Sequence, residues 1–159
     1  MLPNVVDTER LRLPLFTTDD VAAMRAGERR PGWHPQFPRE DDVDGVGMWH
    51  EGDPWSSRSI VLEGVVVGSM GFFGPPTPAA DGAPEAEVGY GLVEDARGAG
   101  LATEALTAMV AAAEAAGVRV RASVLPDNAA SIRVLAKCGF TELRGSNEEG
   151  ELVMARPLR

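Results

Sequence analysis

One cysteine, Cys138, is all that the 159 residues contain, so no internal disulfide can form and a disulfide-dependent scaffold is excluded. Basic residues are the next shortage. Lys+Arg number 15 against 24 Asp+Glu, a formal charge of -9, and nowhere do they gather into a patch able to track a phosphate backbone. Nucleic acid is thereby set aside as a partner. Long apolar runs are missing too: no window approaches the ~18 apolar residues of a membrane span, and "MLPNVVDTERLRLPLF" at the N-terminus lacks a basic stretch followed by an apolar one. A cytoplasmic protein with no membrane partner is expected. His34 and His50 show no metal-ligand spacing with cysteine or carboxylates, so no metal is expected. Neither G-x-x-x-x-G-K-[ST] nor a complete G-x-G-x-x-G occurs, which removes P-loop nucleotides and Rossmann dinucleotides as bound anions.

What is present fits one globular domain spanning 1–159, with 44% hydrophobic and 25% charged residues and no repeat or dividing linker. The acidic surplus favours cationic partners such as amines. Oligomeric state is not set by the sequence, which is compatible with a homodimer.

Along the chain, "ERLRLPLF" (9–16) alternates as a strand and "TTDDVAAMRAGE" offers Thr17 or Thr18 as the cap of a short helix. The Pro-, Gly- and Trp-rich stretch that follows reads as a loop with one poor helix over 41–49. Two apolar runs around Glu63-Gly64 signal a hairpin, and "GPPTPAADGAP" a connection without regular structure. A strand over 85–93, a helix over 99–116 ended by Gly117, a strand in "VRVRASVL", a helix in "NAASIRVLAKC" and two last strands around "SNEEG" complete the chain. The order β-α-(α)-β-β-β-α-β-α-β-β implies an α+β fold, a mixed sheet flanked by helices.

The most informative stretch is "EVGYGLVEDARGAGLATEAL". An alternating strand enters an Arg-Gly-x-Gly turn and leaves it as a small-residue helix. The first N–H groups of such a helix lack intrahelical partners and carry the positive end of its dipole. Gly98 and Gly100, without Cβ, let an anion approach that backbone, and Arg97 adds a charge-assisted donor. A tight strand-to-helix turn with no ligand explains the glycines equally well.

"RGAGLA" (97–102) resembles the [QR]-x-x-G-x-[GA] pyrophosphate motif of the GNAT N-acetyltransferase superfamily. "AEVGYGL" before it, "ATEAL" after it and "PDNAASIRVLAKCGF" downstream are similar to the RimJ/RimL branch, which acetylates protein N-terminal amines. The likeness runs from about Thr8 to the C-terminus. It implies a mostly antiparallel sheet and an acetyl-CoA-dependent enzyme acting on a primary amine, either a protein N-terminus or a small molecule, by direct attack in a ternary complex. A non-catalytic acyl-CoA sensor is the alternative. Arg97, Gly98, Ala99, Gly100, Leu101 and Ala102 would hold the pyrophosphate, Leu92 and Val93 would pair with the pantetheine arm, and Asn128 would lie beside the cofactor. Asn128 also suits a plain helix cap.

Acetyl transfer needs a neutral amine and a proton for the departing thiolate. At pH 7 deprotonating a lysine side chain costs about 4.6 kcal/mol, an α-amine only about 1–1.4, so a weak base suits α-amines. Glu87 is the candidate base, through water, unless it is merely a solvated strand carboxylate. Leu135 stands where many family members carry a tyrosine acid. Ser131 takes that role by resemblance, with a structural first-turn serine as the alternative. The resemblance implies an acceptor wall in the loop that holds Trp33 and His34, and with Tyr90 these are the candidate acceptor-site residues, although a large aromatic such as Trp33 also suits a packing role. Cys138, near a helix C-terminus, is expected to be buried rather than nucleophilic.

Overall fold

The computed structural model describes residues 2–157. Strands β1 (Val5–Asp7), β2 (Leu11–Pro14), β3 (Arg58–Leu62), β4 (Val65–Phe72), β5 (Thr77–Pro78), β6 (Pro84–Leu92), β7 (Arg119–Val124), β8 (Glu142–Ser146) and β9 (Leu152–Ala155) form one sheet, with helices α1 (Thr18–Ala26), α2 (Glu40–Gly45), α3 (Leu101–Ala115) and α4 (Ala129–Lys137). The sheet order is β1-β2-β3-β4-β6-β7-β9-β8, with β5 added beside β6. Every pairing is antiparallel except β6 with β7. This is the expected mixed, mostly antiparallel α+β fold.

Two details differ from the sequence reading. The first strand is preceded by β1, whose three residues are too few to show alternation. In the loop after β4, Thr77 and Pro78 pair with Glu85 and Pro84, because a proline at a sheet edge needs no donor. The 3.6-residue stripe of α3 is clearer: Leu101, Ala105, Leu106, Met109, Val110 and Ala113 are buried. Strand β7 alternates, sending Val120, Ala122 and Val124 into the core and Arg119, Arg121 and Ser123 to the other face.

The parallel pair decides where a site can open. Its register covers only Glu85↔Arg119, Ala86↔Val120 and Glu87↔Arg121, although β6 runs on to Leu92 and β7 to Val124. Beyond Glu87 the two strands part. At their first paired residues, buried Glu85 receives Arg119 Nε at 2.8 Å, Arg121 Nη1 at 2.9 Å and Arg144 Nη1 at 2.6 Å. Burial pushes its carboxyl up, but the three arginines outweigh this and hold it below the usual carboxylate value. Glu85 therefore contributes stability above the unfolded value of 4.5, and that contribution is lost as pH falls through the lower folded value. Glu85→Gln is expected to lose about 2 kcal/mol at neutral pH. In denaturant melts, the gap to wild type should close on acidification; a pH-independent gap would contradict the assignment.

Candidate active site

Where β6 leaves β7, its backbone groups lose a partner. Phe73 N–H donates to Glu87 C=O and Val93 N–H to Val67 C=O, so in this antiparallel pair 87, 89, 91 and 93 face β4. Tyr90 N–H and C=O therefore face the opening. Val93 is fully buried and already paired, and the Leu92 carbonyl accepts from Arg97 Nε at 3.1 Å. The free strand edge thus centres on Tyr90, two residues before the segment expected from sequence.

Two cavities meet at this opening. One, about 560 Å3, is bordered by Leu92, Arg97, Gly98, Gly100, Leu101 and Ala102 on one side and by α4 on the other. The second, about 470 Å3, reaches Glu87, Ser123 and Phe73. Arg39, Asp41, Tyr90, Asn128 and Ser131 border both. Their charges differ. Among the described residues, the first cavity has Arg39, Arg97, Arg133 and Lys137 against one acid, Asp41, while the second has Asp41, Asp44, Glu87 and Glu151 against one cation, Arg39.

The glycine turn has the form an anion site needs. Gly98 (φ 84) and Gly100 (φ 78) are left-handed, and a Cβ on Gly98 would meet no protein atom within 4 Å. Gly100 caps α3 without a side-chain bond. Among the described residues no protein acceptor meets the N–H groups of Gly98, Ala99, Gly100, Leu101, Ala102 or Thr103; the first helical bond is Glu104 N–H to Gly100 C=O. Ala99 itself turns its carbonyl to Arg10 Nη1 at 2.9 Å, and Arg10 is tied to Glu104 by its Nε at 2.7 Å. That bracket from β2's approach fixes the turn, and only the side-chain contacts reveal it.

Asn128 caps α4, its Oδ1 accepting Ser131 N–H at 3.1 Å, and so combines the capping role with a place on both cavities. Ser131 Oγ lies 3.0 Å from Tyr90 Oη. Glu87 Oε1 accepts from Arg121 Nε at 3.1 Å and from Ser123 Oγ at 3.2 Å, which orients the carboxylate on the wall of the acidic cavity. Leu135 is 1% exposed.

Trp33 and His34 are placed elsewhere. Trp33 packs edge-on against Phe37 with centroids 5.2 Å apart, inside the core. His34 accepts from Gln36 N–H through Nδ1 and lies 3.4 Å from Asp95 through Nε2. Neither borders either of these two cavities, and the Trp33 ring lends its large aromatic area to packing. Cys138 is buried as expected, and burial pushes its thiol up.

The residue that sequence reading missed is Arg39. It forks onto buried Asp42, with Nη2 2.8 Å from Oδ1, and Asp42 also accepts from Ser69. A Cβ on Gly91 would overlap the Arg39 guanidinium, and one on Gly89 would come within 2.7 Å of the Phe73 ring. Two glycines inside one strand were the available signal, since such positions mark close approach by another group.

The family model for the acetyltransferase (GNAT) domain matches residues 10–141. The chain belongs to the GNAT acetyltransferase family. Solved GNAT structures agree in fold. A GnaT-family acetyltransferase from Bordetella pertussis is 26% identical with TM-score 0.63, covering 98% of this chain and 100% of its own. The ribosomal-protein-S5-alanine acetyltransferase from Vibrio fischeri is 17% identical, TM-score 0.67, covering 97% and 96%. Mycobacterium smegmatis RimJ, solved with CoA-disulfide, is 21% identical, TM-score 0.61, covering 96% and 87%. No curated protein matches the chain. GNAT acetyltransferases use acetyl-CoA as acyl donor, and the six unpaired N–H groups beside open space in this turn fit its diphosphate. Among the described residues no helix is long and apolar enough to cross a membrane, and no cluster of three metal-ligating side chains occurs.

Proposed function

We propose that this GNAT chain is an N-acetyltransferase that binds acetyl-CoA in the basic cavity and a positively charged primary amine in the acidic one, the amine attacking the thioester directly where the two meet. The observation that carries this reading is the charge division across a shared junction at Tyr90, Asn128 and Ser131. CoA is polyanionic, and its diphosphate would lie on the α3 N-terminus with Arg97 beside it. An amine arriving as a cation meets Asp41, Asp44, Glu87 and Glu151 first.

Only the neutral amine attacks, so a proton must leave before the N–C bond forms. The Arg121 and Ser123 bonds aim Glu87 without burying it, which suits removal of that proton through water and favours α-amines over lysine side chains. An alanine of ribosomal protein S5, named for the Vibrio fischeri neighbour, is one acceptor for the panel. The non-catalytic sensor differs in one observable, turnover.

The test is thiol release from acetyl-CoA with a panel of N-terminal peptides, amino acids and polyamines, using wild type and Glu87→Gln. Wild type should release CoA with a cationic amine class. Glu87→Gln should keep its CoA affinity and lose about 100-fold or more in kcat. CoA binding with no release from any amine would favour the sensor.

A further inference from the structure

Tyr90 is the chain's single tyrosine. Its hydroxyl reaches the junction of the two cavities and stands 3.0 Å from Ser131 Oγ. Among the described residues neither hydroxyl has another side-chain partner, and this governs what the pair can do. Two hydroxyls contain two hydrogens, and their mutual bond uses one. If Tyr90 donates to Ser131, the Ser131 hydrogen is left to point onward. Asn128 holds Ser131 in place through the first-turn bond to its N–H. Leu135, at the position where many family members carry a tyrosine acid, presents only hydrocarbon, so α4 offers no phenol of its own.

Ser131 as acid for the departing CoA sulfur is what the family resemblance implies; we propose that Tyr90 is the further residue that supplies its proton, the two hydroxyls forming a relay with Ser131 the immediate donor. This rests on the acetyltransferase reading above. In the step, the amine nitrogen bonds to the thioester carbonyl carbon and the C–S bond breaks with its electron pair going to sulfur. Sulfur takes the Ser131 hydroxyl proton, and Ser131 takes that of Tyr90. The phenolate recovers a proton shed by nitrogen as the amide forms, so an amine and acetyl-CoA give an N-acetyl amide and free thiol with no other reactant.

Burial holds the Tyr90 phenol above its ordinary value, with the Ser131 bond opposing and the Cys138 charge adding to the rise. The phenol is accordingly protonated at neutral pH. Arg39 and Asp41 share both cavities with it, Glu87 stands on its own strand, and Arg133 and Lys137 project from α4 into the CoA side.

The single tyrosine makes the test specific, since 3-fluorotyrosine supplied during expression labels position 90 alone. The fluorine resonance is expected to move on adding CoA, to move much less with a CoA analogue lacking the sulfur, and to lose that difference in Ser131→Ala. With an acceptor in hand, Tyr90→Phe should bind acetyl-CoA within about twofold of wild type yet lose about 100-fold in kcat. A resonance indifferent to the sulfur, or a Tyr90→Phe enzyme with wild-type kcat, overturns the relay. The resonance decides even if no amine is turned over or if Tyr90→Phe does not fold, so failure of the relay and failure of the acetyltransferase reading give different results.

Discussion

Gly98→Val and Gly100→Val are each expected to lower acetyl-CoA affinity at least about 100-fold, roughly 2.8 kcal/mol, in isothermal titration. Two effects combine. Valine at φ near 80° is a steric outlier costing about 1–2 kcal/mol or more, and its side chain would occupy the space through which a diphosphate must approach the unpaired N–H groups. Gly100→Asn separates them, because asparagine tolerates left-handed backbone but still places atoms before the turn; it too should lose binding. Gly117→Val is the control. It carries the same strain at φ 79 with open space around it, but lies after the far end of α3 and borders neither cavity, so it should lose stability and keep CoA affinity. Arg97→Ala removes one charge-assisted donor and should cost about 1–3 kcal/mol of affinity. Wild-type affinity in both glycine variants would remove the diphosphate from this turn.

That turn was legible because it depends on local geometry. A strand, two glycines and a helix in immediate succession leave few backbone arrangements, and the motif supplies its own N–H groups. Strands β6 and β7 and helix α3 were legible for a similar reason, since burial on one face stamps a period on the sequence. The acidic cavity was not. It is assembled from Arg39, Asp41 and Asp44 near α2, Glu87 on β6, Ser131 on α4 and Glu151 before β9, brought together by sheet order rather than by spacing. Trp33 shows the same limit: the resemblance offered an acceptor wall and its size offered packing, and only the fold shows its ring in the core beside Phe37. Arg39 left a trace only indirectly, in the absence of a side chain at Gly91 across the sheet.

Arg58→Met is expected to cost about 3–5 kcal/mol in chemical denaturation, the largest stability loss anticipated for a residue outside the cavities. Arg58 opens β3 with 0% exposure, and no carboxylate pairs with it among the described residues. Its charge is met by carbonyls instead: Nη1 donates to Asn4 at 3.1 Å and Leu13 at 3.2 Å, Nη2 to Pro3 at 2.6 Å and Pro54 at 2.8 Å. Burial draws its pKa down to about 10, which leaves the guanidinium charged at neutral pH. Removing it strands four acceptors, each costing about 1–3 kcal/mol when unsatisfied, while relief of the buried charge and of its unpartnered Nε returns part of that sum. Lysine should rescue little, because one ammonium cannot span carbonyls from the N-terminal segment, β2 and the approach to β3 as a planar fork does. The consequence for function is directional. Pro54 leads through Trp55, whose carbonyl accepts Phe72 N–H at 3.2 Å, to Ser57 on the acidic cavity, whereas the glycine turn is bracketed independently by Arg10. At temperatures where Arg58→Met remains folded it should therefore bind CoA as wild type does while its KM for the amine rises, and a loss of CoA affinity instead would mean that the two cavities do not owe their shape to separate anchors.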